Sequence, residues 1–229
     1  MLDQRLATRV ENFVSRLKRE SVCMHGFILD VRGEVKATAY YPPFDEGKAH
    51  RMYSVSKSMT ALAIGLLLDE GKISLDDRIA DYFRDFLPEK PDARLMRLKI
   101  RDMLRMATCY RATVYRETDD DWTKPFFTAE PTHEPGTVFH YDTGCSQVLA
   151  ALVARLTGQQ VMDYLNERVF TPLGANDEKH WLRDPAGTCQ GGTGLCMSLR
   201  DLHKVTRLVM DGGRGILPEW FCREMTKKH

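Results

Sequence analysis

The sequence predicts an α+β fold, an antiparallel sheet flanked by helices with a helical subdomain inserted. Three observations carry this. Two short extended runs stand side by side near the N-terminus, helical periodicity fills the middle, and an amphipathic helix follows late in the chain. With 229 residues the chain suits one large domain or two small interleaved ones, enough for a packed core. Hydrophobic residues make up 43% and charged residues 28%, which excludes a disordered or fibrous chain. A net charge of +1 gives no global pull on nucleic acid or an anionic membrane, so neither is expected as a partner.

The elements follow in order. Residues 2–17 read as an amphipathic helix, with Leu6, Val10, Phe13, Val14 and Leu17 on one stripe. Residues 25–30 and 34–40 are extended, and the Val31-Arg32-Gly33 link makes them a hairpin. Pro42-Pro43 ends the second strand. Residues 54–70 form the strongest helix, with Met59, Leu62, Ala63, Leu66 and Leu67 at helical spacing and Gly71 as its stop. Residues 76–86 and 100–106 read as further helices, with Asp76-Asp77 as caps. Residues 119–136 are polar and proline-broken and read as a long loop, its acidic triplet Asp119-Asp120-Asp121 a solvated turn rather than a cation site. Helices follow over 144–156 and 159–169, then a loop at 191–194, then a last helix over 199–210. No later segment shows a strand pattern, and two strands alone make a marginal sheet. The sheet is therefore expected to be completed by another chain, as in a homodimer paired through an open edge, or by C-terminal strands missing from this sequence.

The longest apolar run, 61–68, falls far short of the roughly 20 residues that span a bilayer. The first 20 residues are charged throughout and lack the apolar core of a secretory signal, so a cytoplasmic location is expected. Six cysteines without a CxxC pair read as reduced, mostly buried thiols rather than a disulfide scaffold. The seven histidines show no zinc spacing, and Gly191, Gly192 and Gly194 lack the Lys-Ser/Thr of a phosphate loop. No metal and no organic cofactor is implied.

The sharpest chemical feature is Ser54-Val55-Ser56-Lys57 at the head of the apolar helix. Residues i and i+3 share a helix face, so Lys57 can reach the Ser54 hydroxyl. A serine hydroxyl is a weak nucleophile until a base takes its proton. The helix N-terminus also offers N–H groups and a positive dipole end where an oxyanion would form. SxxK arises by chance about once in a chain of this length. Ser15-Arg16-Leu17-Lys18 is such a match and reads as solvated surface. On spacing alone Ser54 reads more readily as a helix cap than as a nucleophile.

The stretch from His50 to Ala61, running on to Asp69-Glu70-Gly71-Lys72-Ile73-Ser74-Leu75-Asp76-Asp77, resembles the serine β-lactamase and penicillin-binding family. The likeness is strongest to the class C β-lactamase, DD-peptidase and esterase branch. Ile100-Arg101-Asp102-Met103-Leu104-Arg105-Met106 looks like its T-I-x-x-L-L-x-M helix, and Pro135 through Gly144 like its P-G-x-x-F-x-Y-S-N segment. Gly192-Thr193-Gly194-Leu195 with Ser198-Leu199-Arg200-Asp201-Leu202 looks like its G-G-L-x-S-T-x-x-D-L segment. The resemblance covers residues 22–228. It implies a β-lactamase-like fold, with an α/β part over 1–73 and 190–229 and a helical part over 74–189. It also implies Ser54 as the acylated nucleophile, Lys57 as the group that takes its proton, and Tyr141 as the phenol that relays the proton to the leaving group.

Two departures stand out. The tyrosine motif ends in Thr143 where the family usually has Asn and sometimes Ser, one hydroxyl in place of the usual amide, which weakens recognition of a substrate amide and of β-lactams. The family's third motif, K-T-G or H-x-G, has no counterpart; losing the oxyanion donor it supplies costs about 10²–10³ in turnover. The sequence thus implies a serine hydrolase acting on a small-molecule ester or amide. The alternative is a catalytically impaired remnant or a non-catalytic binding protein of the same fold.

Overall fold

The computed structural model describes residues 4–228. Helix α1 (Gln4–Arg19) is amphipathic but none of its residues is fully buried. Its Phe13 meets Phe27 edge to face, centroids 5.6 Å apart. Strands β1 (Gly26–Val31) and β2 (Glu34–Tyr40) pair antiparallel, from Gly26 opposite Tyr40 to Val31 opposite Glu34. Arg32 and Gly33 between them have φ of +55° and +88°. Two left-handed residues match the right-handed twist of a tight hairpin.

The core lies elsewhere. Helix α2 (Val55–Asp69) is apolar on all sides and buries residues from Met59 to Leu67. A helix apolar all round belongs at the centre. Helix α5 (Thr143–Thr157) packs against it and is buried from Gly144 to Val153, ending at Gly158 with φ +72°. Around this pair lie α3 (Ile100–Leu104), α4 (Pro125–Thr128), and α6 (Val161–Leu165), which runs into a π-turn at Asn166–Phe170. Helices α7 (Leu199–Met210) and α8 (Glu219–Thr226) complete the described chain.

Several expectations are corrected. A second sheet exists where the sequence shows no further strand pattern. β3 (His50–Arg51), β4 (His180–Trp181) and β5 (Leu195–Met197) pair antiparallel in the order β3-β5-β4. Strands of two or three residues are too short to show alternation. Residues 76–86 form two 3₁₀ turns, Ile79–Tyr82 and Arg84–Phe86, not an α-helix. The competing partner is residues 98–100: Ile79 N–H donates to Leu98 O, and Ile100 N–H donates to Asp77 O. Asp76, expected as a cap, pairs instead with Lys99 and Arg101. The 119–136 loop contains α4, and just ahead of that helix Asp121 Oδ1 accepts from the N–H groups of Thr123 and Lys124. Finally, α7 is followed by α8, which lays Phe221 against Gly65 of α2. All six cysteines are free and five are buried. No described helix is long and apolar enough to cross a membrane.

Candidate active site

Ser54 enters α2 with helical φ/ψ, and its side chain makes no capping hydrogen bond. The cap reading therefore lacks its defining contact. The Ser54 hydroxyl instead meets Lys57, whose Nζ donates to Oγ at 3.2 Å. Tyr53 just before it has φ +46°, a left-handed conformation that is costly for a bulky residue and that recurs at functional sites. Met52 N–H donates to Leu195 O at 2.7 Å, so the second sheet fixes the approach to the serine.

Three segments meet at Lys57. Its Nζ donates to Gly192 O at 2.8 Å and stands 5.0 Å from the centroid of the Tyr141 ring. Tyr141 is 53% exposed, so its phenol is open to solvent and to a ligand. Thr143 opens α5, and its N–H donates to Thr113 Oγ1 at 3.0 Å. A Cβ on Gly192 would stand 2.4 Å from Thr143 Cγ2, so the threonine methyl packs on this segment. The structure thus brings together Ser54, Lys57, Tyr141 and Thr143. It leaves the second SxxK match, Ser15 and Lys18, exposed on α1.

Sequence reasoning missed the residues that hold this arrangement. Asp142, fully buried, caps α5 by accepting from Gly144 N–H at 2.7 Å, and it accepts the Thr113 hydroxyl at 2.7 Å. Its Oδ2 is buried without a partner. Burial pushes the carboxyl above its ordinary range, against the pull of Thr113 and Gly144. An aspartate directly before a helical run is the signal that could have found it. The Gly191-Gly192 pair has the letters of a plain loop, although paired glycines also mark close backbone approach. Burial pushes the Cys145 thiol up to about 12, so it does not compete as a nucleophile.

From Lys57 a cleft of ≈ 510 Å³ extends between α2, α3 and α8, walled by Ala61, Leu75, Leu104 and Met225 with Arg101 and Arg105 among its lining. Among the described residues no group of three or more His, Cys, Asp or Glu gathers at metal-binding distance.

Comparison with known proteins adds the following. The profile of the family described as Beta-lactamase matches residues 26–229. A 6-aminohexanoate-dimer hydrolase of Paenarthrobacter ureafaciens is 27% identical over 225 residues, covering 91% of this chain and 57% of that protein. The chain therefore spans little more than half the length of that relative. Among solved structures, an octameric penicillin-binding protein homologue from Pyrococcus abyssi has a TM-score of 0.75 at 18% identity, covering 96% of this chain and 60% of that one. EstCE1, a hydrolase with promiscuous acyltransferase activity, has a TM-score of 0.76 at 19% identity, covering 96% and 76%. At these identities the two structures establish the fold.

Proposed function

The chain belongs to the beta-lactamase family, and on that premise we propose that it is a serine hydrolase forming an acyl-enzyme at Ser54 on an ester or amide substrate. The observation that carries the proposal is the 3.2 Å contact between Lys57 Nζ and Ser54 Oγ, made by a serine whose side chain is not used as a cap. In this reading the Ser54 oxygen attacks the substrate carbonyl carbon while its proton passes to the Lys57 nitrogen. The tetrahedral adduct collapses and the bond to the leaving group breaks. The departing alcohol or amine takes a proton relayed through Lys57 and the phenol of Tyr141, whose ring centroid stands 5.0 Å from the Lys57 nitrogen. Water then hydrolyses the acyl-enzyme.

The Paenarthrobacter relative is named for hydrolysis of a 6-aminohexanoate dimer, and two amino acids are ordinarily joined through an amide, which supports including amides among the substrates. Thr143 offers one hydroxyl where an amide side chain would offer two donors and an acceptor, which favours esters over β-lactams. The same substitution, with a solvent-open Tyr141, favours a second reading in which the chain binds ligand without turnover.

The test is intact-mass measurement after incubation with a fluorophosphonate and, separately, with a penicillin, on wild type and Ser54→Ala. A fluorophosphonate adduct on wild type alone is expected. A folded wild type that takes neither reagent sinks the hydrolase reading and leaves the binding protein. A penicillin adduct would overturn the argument drawn from Thr143.

A further inference from the structure

Lys57 is held from two sides, and its shorter hydrogen bond goes to the Gly192 carbonyl, 2.8 Å against 3.2 Å to Ser54. We propose that Thr60 and Gln147 are positioning residues for the site. Together they fix the Gly191-Gly192 segment so that the Gly192 carbonyl holds the Lys57 amine against Ser54. The inference rests on the serine-hydrolase reading above.

Thr60 lies one turn beyond Lys57 on α2 and is fully buried. Its hydroxyl donates to Gly191 O at 2.8 Å. Gln147 approaches from α5, and its Oε1 accepts from Gly191 N–H at 3.1 Å. Both polar groups of Gly191 are therefore taken by side chains, one from each central helix. The Gln147 amide is itself oriented, because its Nε2 donates to the buried Asp184 Oδ2 at 3.1 Å. A carboxylate only accepts, so the amide nitrogen must face Asp184 and the amide oxygen must face Gly191. Asp184 is anchored in turn by the N–H groups of Trp122 at 3.3 Å and Thr188 at 2.8 Å.

Sterics leave no room for a side chain on the segment. A Cβ on Gly191 would stand 2.2 Å from Ser146 O, and one on Gly192 would stand 3.1 Å from Lys57 Nζ. The two glycines lie between α2 and α5, where a side chain would crowd the helix or the amine itself. A small displacement of this carbonyl moves Lys57 relative to Ser54, and misplacement on the order of 1 Å costs up to about 100-fold in a positioned reaction. The plainer role, satisfying buried polar groups of the core, would affect stability and leave Lys57 where it is.

The experiment uses Thr60→Val, which keeps the shape without the donor, Thr60→Ser, which keeps the hydroxyl, and Gln147→Met. Two rates are read on folded protein: acetylation of Lys57 by acetic anhydride relative to the exposed Lys18, and phosphonylation of Ser54 by a fluorophosphonate. Thr60→Val and Gln147→Met are expected to raise Lys57 labelling about threefold or more and to slow phosphonylation about tenfold. Thr60→Ser is expected to remain within about twofold of wild type. A lowered melting temperature with both rates unchanged overturns the proposal. If wild type is never phosphonylated yet the variants raise Lys57 labelling, the positioning role stands and the hydrolase reading fails.

Discussion

At the residue scale, the carboxyl of Asp142 shows how the site is held and at what cost. It sits between Tyr141 and Thr143, accepts two hydrogen bonds through Oδ1, and keeps Oδ2 buried and unpartnered. Because burial raises its proton affinity in the fold, the protonated form is the one the fold favours. Its contribution to stability is therefore fullest below the ordinary carboxylate range and is lost as pH climbs through the raised value. An asparagine side chain at this position would keep an acceptor for Gly144 N–H and the Thr113 hydroxyl without the buried charge. Asp142→Asn is expected to melt above wild type at pH 7, with the difference closing as pH falls toward about 4. Equal melting curves at both values would show that the carboxylate carries no desolvation cost.

At the element scale, the contact of α2 with α8 turns on one glycine. Mid-helix, Gly is about 1 kcal/mol worse than Ala by propensity alone, so an unhindered Gly65→Ala change would stabilise α2. Here a Cβ would stand 2.3 Å from the Phe221 ring. Overpacking of this kind costs about 1–3 kcal/mol, which outweighs the gain. Gly65→Ala is expected to lower stability, and Phe221→Leu in the same chain is expected to restore part of it. A denaturation midpoint for Gly65→Ala at or above wild type would show that α8 does not pack there. The start of α7 is a second such joint: Ser198 Oγ accepts from Asp201 N–H at 3.1 Å and donates to Asp177 Oδ2 at 2.6 Å. One buried hydroxyl thus ties the helix to the loop before β4.

Across the whole molecule, stability is layered. The α2–α5 pair is buried on nearly all sides, whereas α1 has no buried residue and the β1–β2 hairpin is only half-buried. The hairpin is tied to α7 by His203 Nε2, 3.0 Å from Asp30 Oδ2, and by Arg207 at 3.6 Å. Elements with few buried apolar contacts open locally at low free energy. Amide exchange is therefore expected to be slowest in α2 and α5 and fastest in α1, β1 and β2. Uniform protection across these elements would mean that the outer layer unfolds only with the core.

Elements whose pattern is local were legible in the residues alone. The stripe of α1, the hairpin turn at Arg32-Gly33, the apolar α2 with its Gly71 stop, and the α5 and α7 helices all follow from periodicity and turn residues. So does the Ser54–Lys57 pairing, because three residues on one helix turn fix the distance without help from the rest of the chain. Whatever depends on distant segments was settled by packing. The three strands of the second sheet hold too few residues for alternation, and residues 76–86 lose their helix to hydrogen bonds with residues 98–100. The Gly192 carbonyl that holds Lys57 lies 135 residues away from it in sequence, and Thr60 meets Gly191 across 131. Periodicity reports which face of an element is apolar. It carries no information on which backbone carbonyl a distant loop will deliver to that face, and that delivery is what sets Lys57 against Ser54.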